Sequence, residues 1–299
     1  MTKSALFVHH AANRGKRYPP SSILGLSQCL KAGARAIEMD IVPLADGDFA
    51  LLHDQELEKD TDGVGVVSLT TAEQIQHLHY LSKGVATGES VGVLSKALAL
   101  VAEYPHLQEL QLDLKPNGIL SDKVLMDLVR LVGPLKSKIR VTSPADWALR
   151  RLHVLDSEVR LGFDPLLYLD TKTRKGLPKG TPPFRIGAYG YRDDHPLSAR
   201  VWGAASDYLA ARAEVLRSQV PTNTMWYIRS SLLSSTRDDG FDWISYLHRC
   251  GDGVTAWTLN PSVISDVELA CRLVSVGVDR IVSDDAPRLA GVVGGVVEF

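Results

Sequence analysis

Ala36-Ile37-Glu38-Met39-Asp40-Ile41-Val42-Pro43-Leu44-Ala45-Asp46-Gly47-Asp48-Phe49-Ala50-Leu51-Leu52-His53 is the stretch on which the fold turns. It holds two strand-like apolar runs, residues 36–42 and 49–53, with only residues 43–48 between them. A parallel pair needs a crossover of roughly a dozen residues or more, whereas Asp-Gly is a hairpin signal. The second run therefore folds back antiparallel on the first, as a small flap.

The remaining strand-like runs lie at residues 5–10, 109–115, 138–142, 159–163, 225–230, 254–259 and 280–283. Helical patterns at residues 23–32, 95–103, 122–131, 146–155, 199–218, 241–249 and 263–276 alternate with them. With the flap set aside, eight strands with intervening helices predict the α/β class and a closed TIM (β/α)8 barrel, with a hairpin flap after strand 2. A single barrel is expected over residues 1–299, because such barrels commonly run near ~250 residues. The stretch 164–197 holds Pro165, Pro178, Pro182, Pro183 and Pro196 without sustained periodicity, and is expected to be an elaborated loop.

Hydrophobic residues make up 45% and charged residues 23%, which supports a sizeable core and excludes disorder as the main state. Lys and Arg total 33 against 35 Asp and Glu, so a net charge of −2 offers no general attraction to nucleic acid. Phosphate recognition must then be local. Cys29, Cys250 and Cys271 are odd in number and lack CxxC spacing, which argues against a disulfide framework or zinc knuckle and fits a reducing compartment. The apolar run at residues 5–8 is too short for a signal-peptide core or a membrane span. The expectation is a cytoplasmic protein without a membrane span, its oligomeric state open.

Glu38 and Asp40 stand at i and i+2 on a predicted strand, so both emerge on one face. At the C-terminal rim of a barrel, where active sites gather, paired carboxylates suit a hard divalent cation that offsets their repulsion. The competing reading is a solvated edge strand. His53 ends the flap, which folds over the barrel mouth and can deliver an acid–base group near neutrality; otherwise it is a surface histidine. His9 and His10 end the first strand and must point to opposite sides, so only one faces the mouth. Asp113 and Lys115 repeat the i, i+2 logic, as a third acid and a cation or as a simple ion pair. Jointly these groups would neutralise a phosphodiester and supply a proton to its leaving oxygen.

These residues sit in motifs that resemble the glycerophosphodiester phosphodiesterase family, related in fold to phosphatidylinositol-specific phospholipase C. The resemblance runs through His10, Pro19-Pro20-Ser21-Ser22-Ile23, residues 33–40, residues 46–54, Thr61-Asp62-Gly63, Leu112-Asp113-Leu114-Lys115-Pro116, Ala256-Trp257-Thr258-Leu259-Asn260 and residues 277–287. It implies catalysis by His10 and His53, with His10 preferred to His9. It also implies one divalent cation, Mg²⁺ or Ca²⁺, on Glu38, Asp40 and Asp113, with Lys115 near the phosphate and Trp257 walling the pocket. The chain departs from the pattern in three places. His10-Ala11-Ala12 replaces His-Arg-Gly, which leaves Arg14 as the substitute cation; Pro19-Pro20-Ser21-Ser22 replaces Pro-Glu-Asn-Thr; and Asp113 replaces a Glu.

The implied activity is hydrolysis of a small-molecule glycerophosphodiester to a phosphomonoester and an alcohol. Three alternatives remain: attack by a substrate hydroxyl, giving a cyclic phosphate as in the phospholipase D type; a non-catalytic barrel that binds without turnover; and a sugar isomerase-like metal barrel.

Overall fold

The protein is described here from a computed structural model, over residues 5–115, 118–171 and 185–294. Eight parallel strands make the barrel: β1 (Leu6–His9), β2 (Ala36–Pro43), β3 (Glu109–Leu114), β4 (Ile139–Ser143), β5 (Arg160–Phe163), β6 (Met225–Arg229), β7 (Gly253–Trp257) and β8 (Arg280–Ser283). Each pairs with its neighbour in chain order. The ring closes where β1 pairs with β8 over four residues and with β2 at His9 and Ile37.

Alternation along the strands creates two interiors. Ile37, Met39 and Ile41 of β2, with Leu110, Leu112 and Leu114 of β3, are fully buried against the helix layer, which adds Leu26, Leu30, Leu125 and Leu128. The opposite faces of the same strands put Glu38 and Asp40, and Glu109, Gln111 and Asp113, inside the barrel. At its N-terminal end Glu109 meets Arg140 at 3.0 Å and Arg160 at 3.4 Å and also pairs with Arg280. Burial opposes that carboxylate, but the Arg140 and Arg280 guanidiniums outweigh it and hold its pKa down at about 2. The barrel bottom is thus plugged by an ion cluster, and its polar top is left for chemistry.

The helices begin where the sequence offers caps. Ser22 accepts from the Gly25 amide ahead of Ile23–Lys31, and Ser121 from Val124 ahead of Asp122–Val132. A helix at Ser230–Asp238 and another at Ala286–Val293 go beyond the expected set.

The flap is present but short: only Phe49–Ala50 pairs, antiparallel, with Val42 and Pro43. Residues 51–93 then form an excursion over its own core of Leu52, Leu57, Val67, Ile75, Tyr80 and Val91. It carries a hairpin, His79–Ser82 with Val85–Ser90, that the sequence does not announce. Its turn places Lys83 at φ 52° and Gly84 at φ 79°, the left-handed pair of a tight hairpin. The Tyr80 hydroxyl donates to the Leu51 carbonyl at 3.0 Å and accepts from the Gly92 amide at 3.1 Å, which ties the hairpin to the flap.

The described residues of the stretch 164–197 include short strands. Leu169–Asp170, Arg192–Asp193 and Arg185–Ile186 form a three-stranded antiparallel sheet. Pro178, Pro182 and Pro183 of that stretch, and Pro116 after β3, lie outside the described residues.

Candidate active site

Glu38, Asp40 and Asp113 converge at the C-terminal mouth, with one oxygen from each lying within 4.8 Å of the others. The register requires it, since Asp40 and Asp113 are direct partners on adjacent strands and Glu38 lies two residues earlier on the same face. Glu38 Oε2 accepts from the Ala11 amide at 2.7 Å, and Asp113 Oδ1 from the Thr142 hydroxyl at 3.0 Å. Burial and the charge of Asp40 push Glu38 up to about 8, against the opposing pull of His10 and Lys115. Burial also penalises the Asp40 carboxylate, but Lys115 outweighs it and holds Asp40 below its ordinary value.

Lys115 Nζ lies 2.8 Å from Asp40 and 2.7 Å from Asp113. Burial disfavours its charge, yet Asp113, Asp40 and Glu38 together raise its pKa well above the ordinary lysine value. Its cation therefore belongs to the acid cluster.

β1 stops one residue earlier than its apolar run, and His10 opens a short kinked turn through Ala12. His10 lines the mouth. Its Nδ1 meets Asp284 Oδ1 at 2.7 Å, while Nε2 lies 4.0 Å from Glu38. Burial alone would lower the imidazole, but the bond to Asp284 and the charges of Glu38 and Asp40 raise it to about 9. Asp284 moves the other way; burial is outweighed by His10, and its carboxyl is held far below the usual range.

Asp284 is the residue that sequence reasoning missed. Its signal was position, since it follows β8 directly and acids at strand ends of a barrel rim are functional by default. Lys16 was also missed, and it approaches Asp284 at 3.4 Å.

The loop after His10 is conformationally costly. Ala11, Ala12, Arg14, Lys16 and Ser21 all take positive φ, between 46° and 65°. L-residues rarely occupy that region, and such outliers cluster at functional sites. Here the turn aims the Ala11 amide at Glu38. Gly25 on the next helix makes room for it, because a Cβ there would lie 2.6 Å from the Ala12 carbonyl.

Two expected site residues point away from the barrel mouth. His9 was expected among the substrate-binding groups, but it points to the helix layer, only 2% exposed, with Nδ1 3.8 Å from Cys29 Sγ. Burial first, then the Arg14 charge, lowers its pKa to about 4. Arg14 was expected over the phosphate. Its left-handed backbone instead sends Nη1 to the Gln28 carbonyl at 3.0 Å, in the last turn of Ile23–Lys31, where the negative end of the helix attracts cations.

His53 is delivered by the excursion. Asp60 accepts from the His53 amide at 3.2 Å and the Asp54 amide at 2.9 Å, fixing a knuckle beyond the buried Leu51 and Leu52. The exposed imidazole lines an outer cleft of about 1080 Å³ together with His10, Asp40, Lys16, Arg17, Tyr18 and the hairpin. A smaller inner cavity of about 100 Å³ lies in the barrel mouth, and His10 lines it too. Trp257 walls the inner cavity at the end of β7, its Nε1 donating to the Tyr227 carbonyl at 3.1 Å, with the Arg229 guanidinium 4.4 Å from its ring.

A β/α barrel with three clustered carboxylates, a lysine and a histidine–aspartate pair on its C-terminal rim has the apparatus of an enzyme acting on an anionic ester. Comparison with known proteins shows what this chain is similar to. The model of the Glycerophosphoryl diester phosphodiesterase family matches residues 13–125, a span that contains Glu38, Asp40, His53, Asp113 and Lys115. A glycerophosphodiester phosphodiesterase of Caldanaerobacter subterraneus is 24% identical over 161 residues, 51% of this chain and 64% of that protein. One from Bacillus altitudinis is 26% identical over 184 residues, 55% of this chain and 72% of that protein. The fold is shared with an Oleispira antarctica phosphodiesterase solved in complex with the product sn-glycerol-3-phosphate (TM-score 0.67, 19% identity, 97% of each chain). It is also shared with a glycerophosphodiester phosphodiesterase from Parabacteroides distasonis (TM-score 0.66, 15% identity, 98% of each chain). Over residues 13–125 the chain is thus similar to the glycerophosphoryl diester phosphodiesterase family. Among its described residues no helix is long and apolar enough to cross a membrane.

Proposed function

We propose that the chain is a phosphoric diester hydrolase that cleaves a glycerophosphodiester to a phosphomonoester and an alcohol, using one Mg²⁺ or Ca²⁺. The observation that carries this reading is the buried acid cluster beside His10. Its donors are all carboxylate oxygens, the set preferred by hard cations. Oxygens on opposite sides of one ion, each roughly 2.0–2.6 Å from it, stand roughly 4–5 Å apart, which the 4.8 Å limit accommodates. A divalent charge would also offset the burial and the Asp40 repulsion that together drive Glu38 up. Glu38, Asp40 and Asp113 would hold the ion, and it would supply Lewis-acid polarisation of a phosphoryl oxygen.

The chain's own residues do the rest. Lys115 adds a fixed positive charge where the phosphoryl oxygens gather. Asp284 holds the His10 Nδ1 proton and leaves Nε2 facing the cavity, the base-and-orienter arrangement of acid–base enzymes. His10 and His53 divide the two proton transfers, one at the attacking oxygen and one at the leaving oxygen.

The test is turnover of glycerophosphocholine by the purified protein with Mg²⁺ or Ca²⁺, after chelation, and after metal is restored. Activity that disappears on chelation and returns with metal is expected. Full-rate turnover by exhaustively chelated protein would overturn the metal assignment, and no turnover under any metal would overturn the enzyme reading.

A further inference from the structure

His53 enters the outer cleft with little to hold its ring. The side chain is 55% exposed, and among the described residues its polar partner is the adjoining Asp54, with Nδ1 3.4 Å from Oδ2. His10, by contrast, is held by Asp284 from across the barrel seam. The place of the His53 imidazole is therefore set by its backbone, and that backbone is clamped from both sides. The Tyr80 hydroxyl holds the Leu51 carbonyl on one side of the knuckle. On the other, a single oxygen of Asp60, Oδ2, accepts from the amides of both His53 and Asp54. Successive amides converging on an anion form a backbone nest, and the charge of the acceptor strengthens each bond. Asp60 is itself anchored through its neighbour. Thr61 is buried, donates its hydroxyl to the Leu57 carbonyl at 2.7 Å and bridges to Tyr80.

We propose that Asp60 is the positioning residue of His53, its carboxylate holding the amides of residues 53 and 54 so that the imidazole stays over the barrel mouth. The proposal rests on the phosphodiesterase reading above, in which His53 carries one of the two proton transfers. One oxygen of Asp60 sets both members of the His53–Asp54 pair, since it takes the amide of each. Asp60 lines the outer cleft beside His53, so no intervening element transmits the effect. Energetics point the same way. Burial pushes the Asp60 carboxyl above its ordinary value, against the pull of the Asp54 amide. Folding thus disfavours its charged form, the reverse of Glu109, whose guanidinium partners hold it down. A carboxylate placed only to stabilise the fold would resemble Glu109. Acid–base catalysis demands a ring held to within a fraction of an ångström, and a ring this exposed has that precision only through its backbone.

The test is a double-mutant cycle on glycerophosphocholine in the presence of Mg²⁺ or Ca²⁺. Asp60→Ala should lower kcat by roughly 10–100-fold and change KM by less than about threefold, because a misplacement of about 1 Å costs that much in rate. Asp60→Asn keeps an oxygen for the amides and should recover to within about fivefold of wild type. In protein already carrying His53→Ala, Asp60→Ala should cost less than about twofold, since residues that act as a unit are not additive. The same loss with and without His53 overturns the proposal and makes Asp60 structural, as does an Asp60→Asn variant as slow as Asp60→Ala. Absence of turnover by wild type with either metal overturns the phosphodiesterase reading instead. The clamp is then decided without turnover, from the imidazole resonances of isotope-labelled histidines. Asp60→Ala should shift and broaden those of His53 and leave those of His10 in place, and unmoved His53 resonances refute the clamp.

Discussion

Replacing Glu109 with Gln removes the single acid from a buried cluster that holds the Arg140, Arg160 and Arg280 guanidiniums. The magnitude follows by two routes. A carboxyl lowered from 4.5 when free to about 2 when folded contributes about 3 kcal/mol at neutral pH. Removing one partner of a buried ion pair, which leaves uncompensated charge, costs roughly 3–5 kcal/mol. Urea unfolding of wild type and Glu109→Gln at pH 7, followed by circular dichroism, should therefore show a loss of about 3 kcal/mol. The loss should also depend on pH with a defined sign. Because the folded pKa is depressed, the stabilisation is complete above about 4.5 and fades as pH falls through about 2. The gap between the two proteins should narrow as the buffer is taken from pH 5 toward pH 2.5. A loss below about 1 kcal/mol at pH 7 would refute the reasoning, since the arginines would then be solvated without their acid.

Three further outcomes are expected. His10→Ala and His53→Ala should each lower kcat by roughly 10²–10⁴ in steady-state assays with metal, and unchanged rates in either would remove that histidine from the chemistry. Lys115→Met should lower kcat/KM on a phosphodiester and also lower the melting temperature of the metal-free protein, because Asp40 and Asp113 lose their buried cation; thermal loss with unaltered kinetics would reduce Lys115 to an ion-pair partner. Gly162→Ala places a methyl 2.5 Å from both the Tyr227 ring and Thr142 and should destabilise the barrel by roughly 1–3 kcal/mol in thermal unfolding, with wild-type stability counting against that close packing on β5.

The barrel was legible because its strands carry strong local signals. The apolar outer faces of residues 36–42 and 109–115 alternate with acids, and the short link at Asp46-Gly47 removes the ninth strand from the ring. The same period-two alternation brought Glu38, Asp40 and Asp113 to one mouth. What escaped depended on contacts without a local pattern. The hairpin Val85–Ser90 is largely exposed and has no apolar stripe, so nothing in Val85-Ala86-Thr87-Gly88-Glu89-Ser90 distinguishes it from loop. Arg14 went astray because charge predicts what a side chain seeks and not where a left-handed backbone sends it, and helix carbonyls were nearer than the mouth. Asp284 stands 274 residues from the histidine that it orients, a separation that no spacing rule spans.

That separation governs when the site can exist during synthesis. The histidine directly follows the first strand of the barrel and its aspartate directly follows the last, and the two meet only when β1 zips onto β8. A nascent chain that has not yet delivered residue 284 has its acid cluster encoded but lacks the seam that sets His10. Closing so long a loop is slow compared with forming neighbouring βα units. The His10–Asp284 bond is accordingly a marker of completed closure, and a chain truncated before β8 carries most of the motifs without the pairing that orients them.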